Sequence, residues 1–214
     1  MFTGRSEQSI EAALKVKGVL EEGVRKNTWG FGENFRVQPI FVMVRFGKWQ
    51  QILDMPKPFV KAQFLTGMWH YGRTMAYINM GQMEKAEAEL ALLQDFAAKF
   101  KDGLPGYNVV GMFVQGDLLA IANELASGEM AAKKGEYEKA IFHMSTATRL
   151  EDSNMYTEPA AWNFPTRHFL GALLLENNRP KEAEVVYWND LKHNPNNAYS
   201  YYGLSQSLSA QGKD

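Results

Sequence analysis

The feature that most constrains the fold is a repeat with a period of 34 residues in the C-terminal stretch 165–213. Four positions of one helix recur 34 residues later, namely Leu170, Gly171, Leu174 and Asn178 as Leu204, Ser205, Leu208 and Gly212. The stretch reads as helix, tight turn, helix, Asn-Pro-Asn-Asn turn and helix. A fixed period of this length indicates stacked helix pairs, because one pair cannot bury its apolar face alone.

Short turns that would separate the two helices of a pair recur along the rest of the chain. Each begins with a Gly or an Asn, and they fall at Gly4, Gly47, Gly81, Gly135, Asn178 and Gly212. The successive spacings are 43, 34, 54, 43 and 34 residues, so three intervals carry insertions. Because Gly ends a helix in the left-handed region without steric penalty, and Asn is its usual substitute, we predict left-handed backbone at these turns.

Small residues flank most of the turns on both sides. Five residues after a turn residue stand Ser9, Ile52, Ala86, Ala140 and Ala183, and seven residues before one stand Thr74, Gly128, Gly171 and Ser205. We expect the small residues of the two helices to meet at the crossing point, where they permit a close approach.

The apolar periodicity predicts helices throughout and no strand alternation of useful length occurs, so the predicted class is all-α. We expect one solenoid over residues 1–214. Its helix pairs are predicted at 34–54, 60–99, 114–149 and 164–193, with an unpaired first helix at 6–26 and an unpaired last helix at 198–211.

Composition and charge argue against several classes of function. Lys and Arg number 23 and Asp and Glu 24, and no basic stripe typical of a nucleic-acid-binding protein is present. The absence of cysteine excludes disulfides and thiol nucleophiles. No apolar run approaches the ~18–20 residues that span a bilayer, and the first residues lack a signal-peptide pattern. We expect a cytoplasmic protein that binds neither nucleic acid nor membranes.

Two segments carry a family resemblance: GEYEKAIFHMSTATRLED (135–152) and NRPKEAEVVYWNDLKHNPNN (178–197). They resemble the second helices of tetratricopeptide (TPR) repeats in their Ala, in the aromatic residue or Met four residues later, and in the Asn-Pro-Asn-Asn end. With VRFGKWQQIL and WHYGRTMAYINMGQMEKAEAEL, nearly the whole chain resembles the C-terminal part of a group of mostly bacterial TPR proteins with no settled biochemical activity. The large aromatic residue expected early in the first helix is replaced by His70, Glu124 and Arg167.

The resemblance implies a right-handed α–α superhelix of the TPR-like solenoid type. It also implies that residues 1–3 form the last turn of an earlier helix, so we expect the chain to be the C-terminal portion of a longer array.

First helices of stacked pairs line a concave face, which solenoids use for binding. We expect this groove to bind a peptide or protein segment, since aromatic residues and Met supply contact area and charged residues set orientation. The candidate groove residues are Arg45, Tyr71, Met75, Asn79, Glu129, Lys133, His168, Glu176, Tyr199, Tyr202 and Gln206. For each of them taken singly, the alternative is a role in the core or on the solvated surface.

A predicted insertion at 153–163 carries Tyr156, Glu158 and Trp162 and could fold over the mouth of the groove. The alternative is that Tyr156 and Trp162 pack on neighbouring helices and hold the loop as structure.

Motifs for catalysis, metal binding or cofactor binding are missing from the sequence, so we predict no enzyme activity, no metal and no cofactor. The four histidines, His70, His143, His168 and His193, show no helical metal-site spacing. Two alternatives remain. One is self-association through apolar stripes on helices 6–26 and 198–211. The other is a small-molecule or hydrolytic site under the 153–163 loop, built from Glu129, Glu158 and Glu176.

Overall fold

The computed structural model describes residues 5–25, 33–58, 62–100, 115–154, 157 and 160–213. Within them every regular element is a helix and no strand occurs, which confirms the predicted all-α class. The α-helices are α1 (Ser6–Arg25), α2 (Gln38–Arg45), α3 (Trp49–Leu53), α4 (Gln63–Asn79), α5 (Met83–Lys99), α6 (Gln115–Lys133), α7 (Tyr137–Ser153), α8 (Arg167–Glu176), α9 (Pro180–His193) and α10 (Ala198–Ser209). A 3-10 helix at Glu33–Val37 precedes α2.

Helices pack mainly against their neighbours in the chain: α4 against α5, α8 against α9, and α9 against α10. The predicted first helix was expected to be unpaired, but α1 packs against α2 and the 3-10 helix. The predicted last helix, α10, packs against both α8 and α9. The chain divides into two compact units, residues 3–126 and 127–214, and the boundary falls inside α6.

Five helices end in the same backbone motif: α2, α4, α6 and α8, each of which is the first helix of a pair, and α10. The left-handed residues are Gly47, Gly81, Gly135, Asn178 and Gly212, with φ of 63°, 73°, 76°, 54° and 67°. At the second of these, the Gly81 amide donates to the Ile78 carbonyl at 3.1 Å and the Gln82 amide donates to the Tyr77 carbonyl at 2.9 Å. The same pair of bonds recurs at the other four turns, and together they form the Schellman motif. The predicted left-handed residues are confirmed here, while Gly4 lies outside the described residues.

The residue after each turn also repeats one conformation. Lys48, Gln82, Glu136 and Arg179 have ψ of 57°, 66°, 59° and 56°, and each precedes the first residue of a second helix. Because two consecutive residues keep the same dihedral angles, the chain enters each second helix in the same way. The sequence period therefore corresponds to a repeated backbone turn.

The core of the first unit is built around α4. This helix packs against α2, α3 and α5, and its Gly67 lies against Leu119 of α6, where an added Cβ would come within 2.5 Å of the leucine Cδ2. Nearly all of α4 from Phe64 to Ile78 is buried as a result. The fully buried side chains around it include Phe41, Ile52, Leu93 and Leu119.

The core of the second unit joins α6 from Ala131 onward to α7, α8, α9 and α10. Its buried apolar residues are Ala131, Ala140, Met144, Leu170, Leu173, Leu174, Ala183, Tyr187 and Leu204. The predicted close approach occurs at Gly128, where an added Cβ would lie 3.3 Å from the Ala140 carbonyl oxygen and 2.8 Å from Met144 Cγ. On α8, however, Gly171 meets the ring of Tyr187, one turn beyond Ala183.

Tyr187 is held between two glycines of different helices. An added Cβ on Gly171 of α8 would come 2.5 Å from the ring, and one on Gly203 of α10 would overlap the ring atom Cζ. A side chain of any size at either glycine would displace the ring, since real Cβ atoms do not approach so closely. The Tyr187 ring therefore packs closely against both α8 and α10.

Candidate functional site

Exposed groove residues in the second unit lie mainly on α10. Tyr199 is 37% exposed, Tyr202 is 69% exposed, and Gln206 is also exposed. The three residues are spaced by three and four positions, so they lie on one face of the helix. The neighbouring face carries the buried Ser200, Gly203, Leu204 and Ser207. This surface is called the tyrosine face below.

The N-terminus of α10 is fixed by a side-chain cap. Asn197 is the N-cap residue, and its side-chain oxygen accepts a hydrogen bond from the Tyr199 amide at 3.1 Å. The ring of Tyr199 lies 5.8 Å from the ring of His168 on α8. The first turn of α10, which carries Tyr199, is therefore held in place by the Asn197 cap and by the contact with His168.

His168 was predicted to line the groove, but it is only 8% exposed and belongs to a buried polar cluster. Its Nε2 lies 2.9 Å from Asn197 Nδ2, 3.0 Å from Ser200 Oγ and 3.3 Å from Asp190 Oδ2. The Ser200 hydroxyl donates to Asp190 Oδ2, and Asn197 donates to the same oxygen at 3.0 Å. The cluster explains why this histidine is buried: its polar contacts come from α9, the α9–α10 turn and α10.

The cluster contains Ser, His and Asp, but the contacts among these side chains differ from those of a catalytic triad. In a triad the serine contacts one imidazole nitrogen and the aspartate contacts the other. Here Ser200 and Asp190 both approach Nε2 of His168, and both residues are 0% exposed. The arrangement holds α8, α9 and α10 together and gives no access to a substrate.

The Asp190 carboxylate is the centre of this cluster. Burial alone would raise its pKa, but hydrogen bonds from His168, Ser200 and Asn194 and the charge of His168 lower the pKa below the ordinary aspartate value. The Asn194 side chain donates to Asp190 Oδ1 at 3.0 Å. Sequence reasoning missed Asp190. The one available signal was an Asp four residues before the first Asn of the Asn-Pro-Asn-Asn turn, and this spacing does not indicate the contacts with His168 and Ser200.

Two further candidate residues of the second unit are carboxylates, Glu129 of α6 and Glu176 of α8. Glu129 is partly buried, and burial together with the nearby charge of Glu176 raises its pKa to about 7, while Lys133 opposes the shift. Lys133 and Glu176 are exposed at the ends of α6 and α8. The charges of Glu176 and Lys133 thus act on Glu129, while the hydrolytic-site alternative that also included Glu158 stays a prediction, because Glu158 lies outside the described residues.

In the first unit, the predicted groove residues do not form an accessible surface. Tyr71 and Met75 are 0% and 1% exposed, so their assignment to a binding groove is wrong. The reason is that α4 is surrounded by α2, α3 and α5, with Leu119 of α6 against Gly67, which leaves no long face open to solvent. Arg45 is half-buried at the end of α2, and Asn79 is exposed at the end of α4, where its side chain donates to the Met75 carbonyl at 2.9 Å.

A second polar cluster, also missed from the sequence, links α4 to α5. Glu89 Oε2 lies 2.6 Å from His70 Nδ1, and Arg73 donates through Nε to Glu89 Oε1 at 2.7 Å. The Arg73 guanidinium also lies over the rings of Trp69 and Tyr77, at 4.5 and 5.2 Å from their centroids. Burial opposes ionisation of Glu89, but its bonds to His70 and Arg73 lower its pKa. These contacts fix α5 on α4.

The end of the 153–163 insertion is packed as structure. Trp162 is 2% exposed, and the Phe164 ring lies 6.0 Å from it and 5.7 Å from Phe169 of α8. The Thr166 amide and hydroxyl both donate to Glu151 Oε2, at 2.8 and 2.5 Å. Trp162 therefore agrees with the packing alternative, while Tyr156 lies outside the described residues.

A cavity of about 100 Å³ lies in the first unit. Its lining includes Lys17, Glu21, Arg36, Lys57 and Trp69. The volume corresponds to roughly three water molecules and is well below the few hundred Å³ typical of ligand pockets. Such a cavity does not support a small-molecule site of ordinary size.

Among the residues that the structure describes, no group of three or more His, Asp or Glu side chains could hold a metal ion. None of the described helices combines the length and the apolar content that crossing a membrane demands.

Comparison with known proteins leaves the family open. The chain matches no protein-family model, no curated protein and no solved structure. The TPR resemblance therefore stays a prediction that rests on the sequence motifs.

Proposed function

We propose that this chain is a TPR-type helical-repeat scaffold that binds a peptide or protein segment. The repeated turn supports the repeat assignment, because five turns share one hydrogen-bond pattern and the four that lead into a second helix share one entry conformation. On this proposal the helix pairs continue as a right-handed superhelix, with the first helices on the binding side.

The observation that carries the proposal is the tyrosine face. Tyr199 and Tyr202 expose large amphipathic side chains on a helix that is fixed from beneath by Asn197, the His168 cluster and the Tyr187 ring. Tyrosine gives a large contact area at a low entropic cost and is enriched at the centres of protein interfaces. A rigid base reduces the ordering that binding would otherwise require.

The test is selection of peptides from a random peptide library displayed on phage, followed by titration of a synthetic selected peptide. We expect the Tyr199→Ala, Tyr202→Ala double variant to lose at least about tenfold in affinity, since two interface tyrosines together contribute more than 1.4 kcal/mol. The melting temperature should fall only modestly, because Tyr202 is 69% exposed, although Tyr199, at 37% exposed, also loses its contact with the His168 ring.

Trp188→Ala is the matched control, since it removes an exposed aromatic side chain (49% exposed) from α9. It should leave the affinity unchanged. Equal losses in the control and the double variant, or selected peptides that ignore the tyrosines, would contradict a binding site on α10.

A second candidate function is homo-oligomeric assembly through α1. Val16 and Val19 are 42% and 66% exposed on one side of this helix, whereas Ile10 and Ala13 are buried on another. Exposed apolar stripes of this kind are often covered by a second copy or by another chain.

A further inference from the structure

We propose that the small cavity of the first unit binds a short-chain monocarboxylate, a free acid of the size of acetate or propionate. Its lining comes from α1, the 3-10 helix, α2, the segment 55–58 and α4. The ligand carboxylate would contact Arg36 and Lys17, and its carbon chain would lie against the apolar wall. This site is independent of the tyrosine face and goes beyond the peptide-binding function.

The charged side of the cavity is formed by Arg36, whose residue surface is only 3% exposed. Its Nη2 lies 3.7 Å from Glu21 Oε1, and Lys17 Nζ lies 3.4 Å from the same oxygen. Charge-assisted hydrogen bonds between such groups are normally about 2.7–2.9 Å long, so Glu21 holds neither cation tightly. A second carboxylate at closer range would therefore improve the interactions of both cations.

Positive charges outnumber negative ones among the residues that line the cavity. Lys17, Arg36 and Lys57 are cationic, and Glu21 is anionic. Lys57 and Glu21 are exposed, so they lie where the cavity meets solvent, whereas Arg36 lies within it. Electrostatic attraction is stronger at a buried cation than at a solvated one, because the local dielectric constant is lower. The complementary ligand group is therefore an anion.

The opposite wall is apolar and consists of Ile40, Leu65 and the Trp69 ring, with Pro56 beside them. Trp69 Nε1 donates to the Met55 carbonyl at 3.2 Å, which holds the segment 55–58 against α4. A hydrocarbon chain fits such a wall, whereas phosphate or sulfate would leave oxygens there without hydrogen bonds. Because the wall is already in place, little ordering opposes binding.

The size of the cavity limits the ligand to a very short acid. Its volume of about 100 Å³ corresponds to roughly three water molecules. A carboxylate group alone has about as many non-hydrogen atoms, and acetate or propionate adds only one or two carbons. The planar guanidinium of Arg36 can bind both carboxylate oxygens at once, which leaves the carbon chain for the apolar wall.

The experiment is a titration followed through the indole N–H signal of Trp69 in ¹H–¹⁵N NMR spectra. The signal is identified by its absence from the spectrum of a Trp69→Phe variant. Sodium propionate, propionamide and sodium phosphate are added separately at constant ionic strength. We expect propionate to shift the signal saturably with a dissociation constant of about 1–10 mM, since so few atoms contribute little binding energy. Propionamide, which lacks the charge, and phosphate, which lacks the carbon chain, should give no saturable shift.

Two variants test the cationic side. Arg36→Lys keeps the charge but loses the planar fork, and it should weaken propionate binding about tenfold. Lys17→Gln should weaken it about threefold, as for a partly exposed ion pair. Lys15→Gln is the matched control, because it removes the same charge from an exposed position of α1 that does not line the cavity. It should leave the affinity unchanged, and circular dichroism melts would show that the variants fold.

Absence of a saturable shift with propionate, or an equal shift with propionamide, would overturn the inference and leave the peptide-binding proposal intact. Tighter binding of phosphate would overturn the assignment to a carboxylate. Equal affinities of the Lys17→Gln and Lys15→Gln variants would show that propionate binds outside this cavity. N-acetylaspartic acid N-methylamide carries the carboxylate of a protein side chain, and binding as tight as that of propionate would overturn the assignment to a free acid.

Discussion

Glu129 is the residue whose charge the second unit accommodates least well. An unperturbed glutamate has a pKa of 4.5, whereas burial and the charge of Glu176 raise that of Glu129 to about 7. Between these two values the folded protein holds more protons than the unfolded chain. The contribution of Glu129 to the free energy of unfolding therefore falls as the pH rises from 4.5 to about 7. Above that pH the contribution stays at its low value.

The Glu129→Gln variant tests this assignment, because the amide is neutral at every pH. At pH 8 we expect the variant to be more stable than the wild type by about 2 kcal/mol, a figure reduced from the full shift because the side chain is partly exposed. At pH 4 the two proteins should be equally stable. Urea denaturation at both pH values measures the difference.

Glu138→Gln is the control for this comparison, since Glu138 is exposed on α7 and its carboxylate pairs with Arg179. It should give no stabilisation at pH 8. A Glu129→Gln variant with the same advantage at pH 4 as at pH 8 would show that packing, and not ionisation, explains the effect.

Single residues also mark where sequence reasoning fails. Tyr71, Met75 and His168 occupy the helix positions that a groove would use, yet all three are buried. Position along a helix follows from the local sequence, but burial depends on which distant segments pack around it. For His168 those segments bring Asp190 and Ser200, which lie 22 and 32 residues away.

At the level of elements, the turns were the most predictable part of the molecule. Gly47, Gly81, Gly135, Asn178 and Gly212 were identified from residue type and spacing, and each has the expected left-handed backbone. This succeeded because the constraint is local: few residues other than Gly and Asn adopt that conformation readily. The helices between the turns were predictable for the same reason, because the apolar periodicity that indicates them is also a local property of the sequence.

The contact of Tyr187 with Gly171 and Gly203 leads to a prediction about helix packing. Gly203→Ala should destabilise the protein by about 2–3 kcal/mol, because the new methyl group overlaps the Tyr187 ring and the core must shift. Thermal or urea denaturation would measure the loss.

Gly18→Ala provides the matched control within α1. Nothing lies within 4 Å of a Cβ at this position, so the substitution should stabilise the helix by about 0.5–1 kcal/mol. A Gly203→Ala variant that is as stable as the wild type would show that the ring of Tyr187 can move aside freely.

At the level of the whole molecule, the exposed apolar side of α1 bears on assembly. On the second proposal, the protein at high concentration should form a dimer that the Val16→Glu, Val19→Glu double variant abolishes. Sedimentation velocity over a hundredfold range of concentration measures the change. The physical reason is that two charges at the centre of an apolar contact remove its driving force and repel those of the other copy.

Leu92→Glu serves as the control, because Leu92 is a 45% exposed apolar residue of α5 in the same unit. It should leave the sedimentation coefficient unchanged. A wild-type protein that stays monomeric throughout the range would remove the case for assembly through α1 and leave the peptide-binding proposal unaffected.

The three-residue contact of Tyr187 with its two glycines has a consequence for how such a sequence can evolve. Gly171, Tyr187 and Gly203 lie on three successive helices, and a side chain at either glycine destabilises the protein while the tyrosine ring remains. The first permitted step is a smaller residue at position 187, after which either glycine position is released. Among related sequences, these three positions should therefore vary as a correlated set, and a larger residue at 171 or 203 should always accompany the loss of the aromatic ring at 187.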